Sequence, residues 1–186
     1  GLFYKDIGTY IQSLRSNVAF KDTGLPLSLL PSNFTGDEVF QVTTPINTSG
    51  GSLKGFEINV QQPFDFLPGF LSNLGMTANY TRVESKIDYQ VSPTATTLIR
   101  DDLINLSPES FNATLYYDGG ALSARASARY RSRYIDANSG TGNVFEGYGA
   151  TWNVDASLRY KLTEWVELSV EGNNLLDTYR YRFTDF

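Results

Sequence analysis

The stretch "ATWNVDASLRYKL", residues 150–162, alternates from end to end. Ala150, Trp152, Val154, Ala156, Leu158, Tyr160 and Leu162 take one parity, and Thr151, Asn153, Asp155, Ser157, Arg159 and Lys161 take the other. A period of two belongs to a β-strand, whose successive side chains point to opposite faces. The run is also long. It matches the roughly 9 to 11 residues of a tilted membrane-crossing strand better than the short strands of a small soluble sandwich.

Outward from this stretch the pattern recurs. In "ALSARASARYRSRY" (121–134), Arg125, Arg129, Arg131 and Arg133 share the odd face, while Leu122, Ala124, Ala126, Ala128 and Tyr130 share the even one. A helix would gather Arg125, Arg129 and Arg133 but leave Arg131 off their face, so a strand accounts for all four. In 110–117, Phe111, Ala113, Leu115 and Tyr117 alternate with Ser110, Asn112, Thr114 and Tyr116. Similar alternation runs through 54–64, 74–81 and 166–173.

Composition narrows the function. The 186 residues carry 15 Lys and Arg against 20 Asp and Glu, a net charge of −5, which gives no basic field to hold nucleic acid. Histidine and cysteine are both missing. That removes imidazole bases, thiol nucleophiles, disulfides and the usual zinc ligands, and leaves a serine nucleophile without its customary partner, so no enzyme is expected. No apolar run reaches the roughly 20 residues of a membrane helix. The opening "GLFYKDIGTYIQ" has no signal-peptide pattern, which fits either a protein that is not exported or a chain that begins mid-protein. The 12 Tyr and 12 Phe are spread along the chain, as an interfacial girdle or a sheet protein requires.

Connections alternate in length. The links at 67–73 ("LPGFLSN"), 118–119 ("DG") and 163–165 ("TEW") are short, whereas 89–108 and 135–149 are long and polar. Asp118-Gly119 is a two-residue hairpin signal that would set Tyr117 opposite Gly120 and Asn112 opposite Arg125. As a three-residue loop, 163–165 would set Lys161 opposite Glu167. A short rim and a long rim, with strands of this length and regularity, favour an all-β, antiparallel transmembrane β-barrel segment over a soluble β-sheet carbohydrate-binding module. The even face of 121–134 would then meet lipid, and its arginines a wet lumen.

Three stretches carry a family resemblance. "VELSVEGNNLLDTYRYRF" (166–183) resembles the penultimate-strand signature of TonB-dependent outer-membrane receptors, matched at Asn174, Leu175, Leu176, Asp177 and Tyr179. "GLFYKDIGTYI" (1–11) is similar to that family's strand ending in Phe-Tyr-Lys-Asp. "LKGFEINVQQPFDFLPGFLSNLGMTANYTRVES" (53–85) resembles its Gly-aromatic-Glu strand, short turn and Asn-Tyr-Thr strand, carried by Gly55, Phe56, Glu57, Asn79, Tyr80 and Thr81. This last stretch resembles the receptors of Xanthomonas and Caulobacter type. The resemblance implies the outer membrane of a Gram-negative bacterium and TonB-dependent uptake of a small molecule, an oligosaccharide first and a siderophore next. It also implies a plug domain and TonB box that this sequence lacks, inside a barrel of about 22 strands. About eight of those strands would lie in residues 1–186, the C-terminal part of the barrel short of its final strand, with Phe186 in an outer loop. With the short links on the periplasmic rim, strand 1–13 runs outward and 52–66 inward. The segment 37–45 must then be the upper part of that inward strand, interrupted near Pro45 and Gly50-Gly51, or an excursion of the outer loop, and not a separate crossing.

Candidate residues follow from this placement. Glu57, Asn79, Arg125, Arg129, Asp155 and Arg159 should face the lumen. Arg131 and Arg133, nearest the long-loop rim, could bind substrate through guanidinium forks. Tyr89, Phe145 and Tyr148 could stack on sugar rings. Against this, pairing with acids on the plug or on neighbouring strands such as Asp155 is the better account of the arginines. Trp152, Trp165, Phe64 and Phe66 belong in interfacial girdles. Asp88, Asp101 and Asp102 follow no calcium-loop spacing, and "SGTGNVFEGYG" has no phosphate-loop frame, so no metal or cofactor is expected.

Overall fold

The computed structural model describes residues 1–90, 97–137 and 145–185, the side chains of Ala137, Phe145 and Asp185 excepted. Eleven strands appear among them: β1 (Leu2–Ala19), β2 (Val39–Pro63), β3 (Leu74–Gln90), β4 (Leu98–Asp101), β5 (Glu109–Gly119), β6 (Leu122–Arg131), β7 (Tyr134–Ala137), β8 (Phe145–Tyr148), β9 (Thr151–Lys161), β10 (Glu167–Gly172) and β11 (Arg182–Asp185). The main sheet has eight strands in the order β1-β2-β3-β5-β6-β9-β10, with β4 pairing the end of β3. All its pairings are antiparallel. A second sheet, β11-β8-β7, stands above the long-loop rim. Part of the connection 135–149 is therefore strand rather than loop.

The register sorts side chains into transverse rows. On one face, Ile58, Tyr80, Phe111, Tyr130 and Trp152 stand opposite one another across five strands. Trp152 packs against Tyr130 at 4.8 Å and Phe111 at 6.3 Å between ring centroids, and Phe56 packs against Tyr80 at 5.8 Å. Below this aromatic row come Val60, Ala78, Ala113, Ala128 and Val154, and then rows ending in Ala156, Leu158 and Tyr160. This is the expected outward face. From Trp152 to Leu162 the strand rises about 33 Å, or about 25 Å at a barrel strand's tilt, the height of an outer-membrane apolar band. Trp165, Phe64 and Phe66 lie at the short-turn end, and Trp165 is 92% exposed. The girdle residues thus divide between two rims.

The short links share one rim, as the alternation requires. Lys161 stands opposite Glu167, as the three-residue loop predicts. The hairpin between β5 and β6 differs. Its closing pair is Gly119 with Leu122, and Gly120 takes φ 72° at the first turn position, where glycine carries no steric cost. The turn is Gly120-Ala121, not Asp118-Gly119. Asn112 therefore faces Arg129 instead of Arg125. The shift is even in number, so both faces keep their residues.

Residues 37–45 are not a separate crossing. β2 runs unbroken from Val39 to Pro63 and pairs with β1 from Ala19↔Val39 to Leu2↔Phe56. No interruption occurs at Pro45, which simply faces Ser13. What ends near Gly50-Gly51 is the pairing with β3, whose last rung is Gly51↔Ile87. Both glycines allow close backbone approach: an added Cβ would lie 1.6 Å from the Ile7 carbonyl oxygen at Gly50 and 1.9 Å from that of Lys86 at Gly51. Leu2 is level with Phe56, so β1 runs outward entirely beyond the aromatic row.

There the core appears. Leu14, Ile87 and Tyr89 are fully buried, with Val83, Gln12, Thr48 and Ser85 close to it. The Gln12 side-chain amide donates to the Gln90 carbonyl (2.7 Å) and accepts from the Gln90 N–H (3.0 Å), as a backbone bridge would. Tyr10 meets Tyr89 edge-on at 5.7 Å. Even-numbered residues of the β1–β2 hairpin thus pack on odd-numbered residues of β3. Those odd positions belong to the face that carries Asn79 and Thr81 lower down, so the hairpin leans over the polar side.

Candidate functional site

Glu57, Asn79, Arg125, Arg129, Asp155 and Arg159 all lie on the face opposite the aromatic row. The register arranges that face as rungs of amides and hydroxyls. Asn59, Asn79, Asn112, Arg129 and Asn153 form one row, and Glu57, Thr81, Ser110, Arg131 and Thr151 form the next toward the long-loop rim. Asn79 donates to Glu57 Oε1 at 3.0 Å and also bonds Asn59. Alternation alone placed these residues on one face. Only the register put four asparagines in a line.

The arginines are already engaged. Arg129 Nη2 donates to Asp155 Oδ2 at 2.7 Å, the pairing weighed against a ligand role, and Arg159 reaches Glu171 at 3.5 Å. Arg131 Nε donates to Ser107 Oγ at 2.6 Å and its Nη2 to the Asn105 carbonyl at 3.0 Å, while its guanidinium lies 3.7 Å from the centre of the Tyr134 ring. Asn105 holds its carbonyl there in a left-handed turn, φ 63°, with its N–H on the Ile135 carbonyl at 2.7 Å. Beneath this lies a cleft of about 380 Å³, lined by Asn105, Ser107, Asn112, Arg129, Arg131 and Asn153 among others. Its free chemistry is amide and hydroxyl.

Other candidates fall elsewhere. Arg133 lies 5.0 Å over the Phe183 ring. Tyr148 is half-buried between Tyr134 (5.7 Å) and the Arg180 guanidinium (3.7 Å), and Arg180 also bonds the Tyr134 hydroxyl. The Phe145 side chain lies outside the described residues, as does Phe186. Tyr89 is not open to a sugar ring. It is enclosed in the upper core, where its hydroxyl donates to the Asp102 carbonyl at 2.9 Å and accepts from the Ile104 N–H at 3.0 Å. Burial pushes its phenol pKa well above the usual value.

The Asn-Leu-Leu-Asp turn has a clear structural job. Asn174 (φ 52°) donates its N–H to Asp155 Oδ1 at 2.9 Å, and Leu175 donates to the Val154 carbonyl at 2.8 Å. The Asn174 side chain accepts from the Thr178 N–H at 3.0 Å. After β10 ends, these bonds hold the chain on the free edge of β9 and deliver it to β11. Asp155 thus joins the motif to Arg129.

A family model described as "TonB dependent receptor-like, beta-barrel" matches residues 1–175. The chain belongs to that family. No curated protein and no solved structure matches it. Membership in the TonB-dependent receptor family implies transport across the Gram-negative outer membrane, with TonB and a small molecule as partners, rather than catalysis. The apolar outward rows and the amide rows are the two sides of such a barrel wall. Asn105, Asn112, Asn153 and Ser107 are site residues that sequence reading did not single out as candidates.

Proposed function

We infer that the chain forms the C-terminal part of the barrel in a receptor that imports a neutral, polyhydroxylated nutrient. An oligosaccharide fits this description better than an anionic siderophore. The main sheet ends at β1 and β10 without closing, and open strand edges are untenable in lipid, which supports a larger barrel completed by further strands. A plug domain would then carry the TonB contact. Residues 53–85 resemble the receptors of Xanthomonas and Caulobacter type, which is consistent with this reading.

The observation that carries the substrate reading is the cleft under Asn105. Arg129 is neutralised by Asp155, and two donors of Arg131 are occupied by Ser107 and Asn105. Amides and hydroxyls can exchange hydrogen bonds with sugar hydroxyls at no cost in uncompensated charge. Calorimetry on the full-length receptor in detergent tests this, with neutral oligosaccharides against uronate-bearing ones and a ferric siderophore. The neutral ligand should bind best. Asn112→Ala and Arg131→Ala should each weaken it by about tenfold. Tighter binding of either anionic ligand would contradict the reading.

A further inference from the structure

Directly above the aromatic row, on the same outward face, the side chains change from apolar to charged. Lys54 stands opposite Glu84 (3.2 Å between charged atoms), and Arg82 is 3.1 Å from Glu109. Lys86 with Asp102 (3.1 Å) and Arg100 with Asp88 (3.4 Å) follow on the next two rungs. Their cationic side chains are all more than half exposed. Exposed pairs of this kind add little to stability, so folding alone does not explain four of them in succession on one face. Across the first two of these rungs opens a pocket of about 370 Å³. Leu2 and Phe56 give it an apolar surface, and Lys54, Arg82 and Glu84 line it too.

We propose that this pocket binds a phosphorylated lipid of the outer leaflet, its phosphate on Lys54 and Arg82 and an acyl chain against Leu2 and Phe56. Three features select that occupant. The pocket continues the lipid-facing apolar rows without a break, so one molecule can lie along both. Aromatic side chains mark headgroup depth in a membrane, and Arg82 stands one outward rung beyond them and Lys54 two. Lys54 and Arg82 sit diagonally on paired strands, within reach of a common phosphate. Each spends only part of its donor capacity on its carboxylate, since Lys has three N–H donors and Arg five. Glu84 faces the same pocket and holds Lys54 toward it.

The inference rests on the transmembrane reading but not on the nutrient, so sugar binding serves as an independent control. The full-length receptor is placed in vesicles of zwitterionic phospholipid doped with either bisphosphorylated lipid A or its dephosphorylated form. Lipid retained through detergent extraction is then counted by mass spectrometry. The phosphorylated form should be enriched, and Lys54→Gln and Arg82→Gln should each cut retention about fivefold. Lys161→Gln, at the opposite rim, should leave it intact. Should Lys54→Gln fail to assemble, Lys54→Arg should assemble and retain lipid. Equal retention of both lipids, unchanged retention in Lys54→Gln and Arg82→Gln, loss in Lys54→Arg, or a loss in Lys161→Gln as large as in Lys54→Gln would overturn the proposal.

Discussion

From Leu74 to Tyr80, β3 turns its apolar side chains to the outward face, and from Val83 to Tyr89 it turns them to the other. Leu74, Met76, Ala78 and Tyr80 are even-numbered, and Val83, Ile87 and Tyr89 are odd. Nothing in the strand slips between them: its pairing with β2 is continuous from Pro63↔Gly75 to Gly51↔Ile87. The backbone is the same, so the solvent has changed. Below the aromatic row the outward face meets hydrocarbon. Above it that face meets the headgroup layer and then water, carries Arg82, Glu84, Lys86 and Asp88, and leaves the inner face to bury a core. A transmembrane wall needs no buried core of its own here, and the extracellular half does.

This contrast ranks the effects of substitution. Leu14→Ala in the upper core should have the largest effect, a loss of about 2–5 kcal/mol confined to the extracellular half. Protease nicking in the β1–β2 hairpin of the full-length receptor should rise while the heat-modifiable barrel band is unchanged. If both fall together, the halves are not separate. On the outward face, Ala126→Arg should cost about 2–4 kcal/mol near the bilayer midplane, whereas Ser127→Arg, one residue on but facing the lumen, should cost close to nothing. Denaturant titration in vesicles compares the two, and equal losses would reverse the assignment of faces.

Tyr89→Phe should cost about 1–3 kcal/mol by leaving the Asp102 carbonyl and the Ile104 N–H without their partner. Hydrogen exchange at Ile104 reads it out, and unchanged protection would show that the hydroxyl is idle. The smallest effect belongs to the tip of the hairpin. Backbone N–H groups of Thr35 and Gly36 hold the Glu38 carboxyl below its usual value of 4.5. A depressed carboxylate stabilises the fold above its unfolded pKa, and this contribution is lost as pH falls through the folded value. The protection factors of residues 20–38, which divide out the intrinsic pH dependence of amide exchange, should therefore be constant above pH 5 and fall below about pH 4. A fall in protection between pH 6 and 8 would point to another group.

Much of this wall was legible in the sequence, because a period of two needs only local reading. Strands β6 and β9, the two faces and the rim of each link all follow from parity. The rows did not follow, since they depend on where a turn closes. Glycines at 119 and 120 left two choices four residues apart in register, and only one lines Asn112 up with Arg129. The inversion in β3 was hidden for a different reason. A change of apolar parity reads as the end of a strand, so alternation was followed only through 74–81, the long link was set at 89–108, and buried Tyr89 looked like an exposed ring. In the Asn-Leu-Leu-Asp turn, two left-handed residues and a bond to Asp155 are invisible to alternation altogether.

These 186 residues have no cysteine, so in the full-length receptor, with any cysteine elsewhere replaced, single cysteines can be placed at every position of β3 from Leu74 to Gln90. Labelling each with a membrane-impermeant thiol reagent in vesicles tests the change of solvent directly. Odd positions should label and even positions resist from 74 to 80, and the pattern should then reverse, with 82, 84, 86 and 88 reactive and 83, 85, 87 and 89 protected. A single unbroken phase along all of β3 would contradict the membrane boundary at Tyr80–Val83.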